Sequence, residues 1–217
     1  MERRAILYLL AAVAGAVPVA AQVEITYLAN EGVLLRAGRA KVLIDALIRD
    51  SLYDYARHSP VNQARIETGK PPFDNVTLAL ATHFHLDHWD PGAITRFLNH
   101  SPNAIFASTP HGIGPIPSSV RKRVRELWPP LVHPARLETG GVLVEVLDLQ
   151  HGMAQNLAYF VTMGGRVVAH LGDSDANSAN FEKLLARKAP DVALIPFWWL
   201  LDDAGVDFVL NKWQPKH

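Results

Sequence analysis

The sequence contains no cysteine. This excludes disulfides, thiolate metal sites and a cysteine nucleophile, so any cation must be held by imidazole and carboxylate. Net charge is also lacking, because 21 Lys and Arg stand against 21 Asp and Glu. A chain so balanced has no global basic field with which to hold nucleic acid. Charged residues make up 19% and hydrophobic ones 49%, a balance that excludes a disordered chain. There is no internal repeat, and the Gly and Pro follow no period, which excludes coiled-coil and collagen-like architectures.

Only one long apolar run is present, Ala5–Val17. It follows Arg3 and Arg4 and leads to the small residues Val19-Ala20-Ala21. The run is shorter than the roughly 20 residues that span a bilayer. A basic start, a short apolar run and small residues together read as a secretory signal cleaved before Gln22. An uncleaved membrane anchor is the alternative reading. Residues 1–21 are thus expected to be a signal peptide, and residues 22–217 one secreted or periplasmic domain without stable membrane insertion after cleavage.

Short β-branched runs recur along that domain. They are Val23–Leu28, Val33–Arg36, Lys41–Ala46, Val76–Thr82, Ala104–Ser108, Val142–Leu149, Leu157–Thr162, Arg166–Leu171 and Val192–Pro196. Gly, Asn and Asp between several of them mark turns, and Gly38 and Gly164-Gly165 fall where hairpins would reverse. Asp90-Pro91 reads as an N-cap and first helical residue leading into Ala93–Leu98. Ser118–Leu127 places Val120, Val124 and Leu127 on one helical face, and Asn177–Lys188 groups Phe181, Leu184 and Leu185 before Pro190. Hairpins first, then strands alternating with helices, describe one α/β domain. Asp50–Pro72 and Thr109–Pro134 read either as long functional rims or as helix-bearing connections covering the sheet.

The strongest chemical signal is Thr82-His83-Phe84-His85-Leu86-Asp87-His88. It follows the apolar run Val76–Ala81, so its ligating side chains sit just beyond a strand end. His83 and His85 can aim two imidazoles at one metal from a tight turn, while Asp87 and His88 can face a second one. Imidazole with carboxylate suits zinc, and also iron or manganese.

The segment resembles the His-x-His-x-Asp-His signature of the metallo-β-lactamase-fold hydrolases. Val42-Leu43-Ile44-Asp45 is similar to that family's early strand ending in Asp, and Val168-Ala169-His170-Leu171-Gly172-Asp173 to its later strand ending in Gly-Asp. The set is most similar to the branch containing ascorbate-phosphate lactonase and the N-acylphosphatidylethanolamine phospholipase D. The resemblance implies a four-layer αββα sandwich with the site at one edge between the sheets. It implies two divalent metal ions, zinc first, with manganese or iron as alternatives. His83, His85 and His151 would hold the first, Asp87 and His88 the second, and Asp173 would bridge both. Asp87 would also be the catalytic residue, orienting the nucleophile or carrying a proton. Asp45 would accept a hydrogen bond from the motif loop, or else merely end a strand. His170 would be a buried imidazole supporting the site, or plain packing.

The resemblance also implies one more histidine ligand on a last strand. The ending Trp213-Gln214-Pro215-Lys216-His217 is similar to the approach to that strand. The C-terminal strand and a covering helix are therefore expected to be missing, and His217 reaches the site only if the tail folds back. The function implied is hydrolysis of an ester, lactone or phosphoester by a metal-bound hydroxide, with a small-molecule substrate as partner. A catalytically silent metal-binding member and a β-lactamase are the alternatives. Pro196-Phe197-Trp198-Trp199-Leu200 reads as a wall for a lipid or acyl chain, or as a segment buried under the missing portion. Arg121, Lys122, Arg123 and Arg125 read as a solvated helix face, or as a basic run meeting an anionic substrate.

Overall fold

The structure is a computed structural model that describes residues 22–52, 54–129 and 135–217. The signal peptide expected over residues 1–21 lies outside these residues, as does Pro134. Among the described residues no helix is long and apolar enough to cross a membrane.

One sheet has the order β1 (Glu24–Ala29), β2 (Gly32–Ala37), β3 (Ala40–Ile44), β4 (Leu78–Leu80), β5 (Ile105–Ser108) and β6 (Val124–Glu126). Its first three strands are antiparallel, and β3 to β6 run parallel. The other sheet contains β7 (Ala135–Thr139), β8 (Val142–Asp148), β9 (Leu157–Met163), β10 (Arg166–His170) and β11 (Val192–Leu194). Its strands are antiparallel up to β10, which pairs parallel with β11. The composition of each strand follows from its surroundings. β4 is buried on both faces and is wholly apolar, whereas β8 alternates, sending Val142, Val144 and Val146 inward.

The two sheets face each other across Leu35, Val42, Ile44 and Leu80 on one side and Val144, Tyr159, Val161 and Val168 on the other. Helices α1 (Pro60–Glu67) and α2 (Pro91–His100) cover the outer face of the first sheet, where Ile66, Ile94, Phe97 and Leu98 meet Leu34, Leu43, Ala79 and Phe106. Asp90 starts α2 by accepting a hydrogen bond from the Ala93 amide. The outer face of the second sheet packs Phe160 and Ala169 against Leu184 of α4 (Ser178–Leu185) and against Trp199, Phe208 and Trp213. Helix, sheet, sheet and helix make four layers, the αββα sandwich.

Several local expectations are corrected. Ser118–Leu127 is not a helix; a single 3-10 turn over Arg121–Arg123 leads into β6. Val120, Val124 and Leu127 are all buried, but the open edge of β5 draws Val124–Glu126 into the sheet. The basic run is correspondingly solvated but not on a helix, since Arg121, Lys122 and Arg125 are exposed on the turn and strand. Arg121 donates to the Ile113 carbonyl, Arg123 to that of Ser101 and Arg125 to that of Lys122. The two long connections contain α1, the short helix α3 (Pro110–Ile113) and β6. Trp199 is buried beneath Phe208 and Trp213 of this same chain, in the segment that includes α5 (Asp203–Asp207), while Phe197 and Leu200 are exposed. His217 does not fold back to the motif. Its backbone pairs with Asp191 and Ala193, beside the start of β11.

Candidate metal centre

The ends of strands from both sheets meet at one edge of the sandwich. Asp45 follows β3, the Thr82–His88 loop follows β4, His151 follows β8 and Asp173 follows β10. Parallel neighbours end together, so their following loops converge there, as ligand-binding loops do in open α/β sheets. Two close approaches shape this edge. Gly172 takes φ +55°, and a Cβ there would stand 2.4 Å from Asn156 Oδ1. Gly32 lies against Asp45, whose carbonyl oxygen would be 2.7 Å from an added Cβ.

His83, His85, His151 and Asp173 each offer one ligand atom, and all four atoms lie within 4.8 Å of one another. Asp173 Oδ2 is 3.8 Å from His83 Nε2 and 3.8 Å from His151 Nε2. Its other oxygen, Oδ1, is 3.2 Å from His88 Nε2. Ligands each about 2.1 Å from a tetrahedral ion stand roughly 3.4 Å apart, so these separations suit a shared cation. His88 Nε2 is also 3.7 Å from Asp87 Oδ2. Asp87 and His88 are each about 1% exposed, yet Asp87 Oδ1 has no hydrogen-bond partner and His88 Nε2 meets its carboxylates only as an ion pair. A buried polar atom left without a hydrogen bond is costly, and a cation at this point answers that cost. The donor set therefore fits divalent metal.

Burial, followed by the neighbouring imidazoles of His88, His85 and His151, holds His83 well below the ordinary histidine range. Burial and His151 lower His85, against the opposite pull of Asp87. Neutral imidazoles keep the lone pairs that a metal takes. Burial also works to lower His88, but the carboxylates of Asp45 and Asp173 outweigh it and raise that imidazole well above its ordinary value. Burial acts to raise Asp173, and His88 prevails in holding it low.

Supporting contacts fix these groups. Asp45 accepts from the Thr82 amide at 2.7 Å, from the Thr82 hydroxyl at 2.7 Å, and pairs with His88 Nδ1 at 2.9 Å. His170 accepts from the Gly172 amide through Nδ1 and donates through Nε2 to the Glu31 carbonyl at 2.9 Å. Both of its nitrogens thus serve backbone groups. The buried Asn156 donates to the Leu171 carbonyl, and Asn180 accepts from the Gln150 amide, bracing the chain just before Asp173 and His151. The indoles of Trp198 and Trp199 both donate to the Ser174 carbonyl.

Sequence reasoning missed Asn30 and Glu31. Asn30 donates to Asp87 Oδ2 at 3.1 Å. Glu31 reaches within 4.8 Å of the ligand atoms of His88 and Asp173. Burial, with Asp173, Asp45 and Asp87 close by, pushes the Glu31 carboxyl well up, against the opposing charge of His88. A signal was available in the Gly38 turn. Counting back from Ala37↔Ala40 through Val33↔Ile44 sets Gly32 opposite Asp45, with Glu31 next to it at the same edge.

Beside these groups opens a cleft of about 550 Å³. Asn30, Glu31, Asp87, His170 and Asp173 form its polar end, and Tyr27, Val33, Tyr55, Phe197 and Trp198 form a largely apolar wall.

The described geometry is accompanied by likeness to known proteins. Residues 24–198 match a family model described as a beta-lactamase superfamily domain. No curated protein matches the chain by sequence. Among solved structures it is similar to Igni18, a metallo-hydrolase from the hyperthermophilic archaeon Ignicoccus hospitalis, with 19% identity and a TM-score of 0.57 over 80% of this chain and 70% of that one. It is similar to an isothiocyanate hydrolase from Delia radicum gut bacteria, with 19% identity and a TM-score of 0.54 over 78% of this chain and 69% of that one. It also resembles CmlA, a diiron β-hydroxylase from Streptomyces venezuelae, at 16% identity and a TM-score of 0.54, over 80% of this chain and 34% of that one. At such identities these likenesses speak to the fold.

Proposed function

The chain belongs to the beta-lactamase superfamily, and we propose that it is a metal-dependent hydrolase of small-molecule esters, lactones or phosphoesters. The observation that carries this reading is Asp173, whose two carboxylate oxygens face two different groups of ligands, Oδ2 towards His83 and His151 and Oδ1 towards His88. A carboxylate so placed would screen the repulsion of two cations and hold their spacing. His83, His85 and His151 would hold one ion and Asp87 and His88 the other. Zinc is the first choice for imidazole and carboxylate, with manganese or iron as alternatives. Such ions, when bound, supply Lewis acidity and lower the pKa of water to about 7.

The chain's own residues do the remaining work. Asn30 orients Asp87 by donating to its Oδ2, and Asp87 would orient the nucleophile from its place beside the second ion. Asp45 keeps His88 oriented through Nδ1 so that Nε2 faces Asp173. The wall of Tyr27, Val33, Phe197 and Trp198 accepts an apolar portion of the substrate and excludes water from it. The cleft volume is that of an ordinary small-molecule site. The residue patterns around Thr82–His88 and Val168–Asp173 favour the branch containing ascorbate-phosphate lactonase and the N-acylphosphatidylethanolamine phospholipase D. The pattern of residues 1–21 favours secretion or a periplasmic location.

The test is removal and return of metal. Protein stripped with a strong chelator should lose turnover of chromogenic esters, lactones and phosphodiesters, and regain it with zinc or manganese. Turnover indifferent to verified metal removal overturns the reading. Metal-loaded protein inert across that panel and across β-lactams points instead to a silent metal-binding protein.

A further inference from the structure

We infer that Glu31 is itself a ligand, completing with Asp87, His88 and Asp173 a second cation position that is richer in oxygen than the one at His83, His85 and His151. The inference rests on the metal-centre reading above and names the part that a motif of histidines does not contain.

Three observations carry it. Glu31, His88 and Asp173 offer ligand atoms within 4.8 Å of one another, as close as the atoms of the histidine-rich group. His88 Nε2, buried and without a hydrogen bond, belongs to this group, and Asp87, whose buried Oδ1 also lacks a hydrogen-bond partner, adjoins it with Oδ2 at 3.7 Å from His88 Nε2. Glu31 is also held in place. Its carbonyl accepts from His170 Nε2 at 2.9 Å, and its neighbour Gly32 fits against the Asp45 carbonyl with no room for a side chain. A turn residue secured on both sides presents its carboxylate to the cluster with little freedom left to lose, which favours ligation.

The two positions then differ in kind. Three imidazoles and a shared carboxylate suit zinc. One imidazole with three carboxylates, one of them shared, is a harder set that accepts manganese more readily. The chain is thereby equipped to hold two different metals side by side.

Stripped wild-type protein, E31Q and H151A are dialysed against zinc, against manganese and against both, and bound metal is counted by mass spectrometry. Wild type should hold two equivalents. E31Q should keep one equivalent and bind the second at least tenfold more weakly, with the loss greatest for manganese. H151A should show the converse loss, greatest for zinc. Cadmium-loaded wild type should give two NMR resonances, the more shielded one from the oxygen-rich position. If E31Q retains both equivalents at wild-type affinity, or if wild type holds only one, Glu31 is not a ligand, while the metal centre stands. If wild type holds none, the metal reading itself fails. E31Q preserves side-chain volume, and its metal-free melting curve reports whether it folds. Should it not fold, the wild-type cadmium spectrum decides, and two resonances of the same shielding overturn the inference.

Discussion

Asp45 directs its whole carboxylate at the motif loop. It is fully buried, and its two oxygens take the Thr82 amide, the Thr82 hydroxyl and His88 Nδ1. Its backbone sits at φ 49°, in the left-handed region that Asn also tolerates. D45N therefore keeps the main chain and removes only the charge and one acceptor. Groups that orient metal ligands typically cost 10–100-fold in metal affinity when changed. D45N should weaken zinc binding by about that factor in a competition titration with a chromophoric chelator; unchanged affinity would show that Asp45 only ends its strand. At this scale the motif stood out in the sequence, because few surroundings other than a cation favour so many imidazoles and carboxylates together, whereas His151 and Asp173 were reached only through the family resemblance. Glu31 did not stand out. Ala29-Asn30-Glu31-Gly32 has the composition of any hairpin turn, and only strand register shows where its carboxylate lies.

Elements were legible where burial imposed a pattern. The nine apolar runs correspond to nine strands, and the N-cap of α2 was visible as Asp90-Pro91. β7 escaped notice because it alternates half-buried and exposed positions at a sheet edge, so its sequence Ala-Arg-Leu-Glu-Thr is only weakly apolar. β6 was misread because a helical spacing of three apolar residues can equally be satisfied by a turn followed by a strand, and the free edge of β5 decided between them. α1 is polar, and its start depends on Ser59 capping the Asn62 amide. The turn after β10 carries its own prediction. G172A would place a methyl against Asn156 and Thr82 at a positive φ. Overpacking and backbone strain together should cost about 2–4 kcal/mol. Urea unfolding of the metal-free variant measures this, and a loss below about 1 kcal/mol would mean the turn is not tightly packed.

The molecule as a whole is two sheets that share a core and, at one edge, a cluster of histidines and carboxylates. His83, His85 and His88 come from loops of the first sheet, whereas His151 and Asp173 come from the second. A cation held by both sets would tie the sheets together and favour the folded chain. At a free metal concentration a hundredfold above Kd, one such ion adds about 2.7 kcal/mol. For a domain of this size the midpoint should rise by roughly 5–10 °C. Scanning calorimetry of stripped and zinc-loaded protein checks this, and H83A should abolish most of the shift. A shift that survives in H83A would place the stabilising ion elsewhere.

From the order of residues alone followed the class of fold, the strand-end placement of the histidine motif and the chemistry open to a chain without thiols. These are local matters, set by which side chains can be buried in a strand and which can face a metal. Tertiary structure decided that Asp173 turns one oxygen towards His83 and the other towards His88, that Glu31 lies near His88, and that His217 pairs with Asp191 and Ala193 instead. Such outcomes depend on sheet register and on the meeting of segments distant along the chain, and no local pattern of residues encodes either.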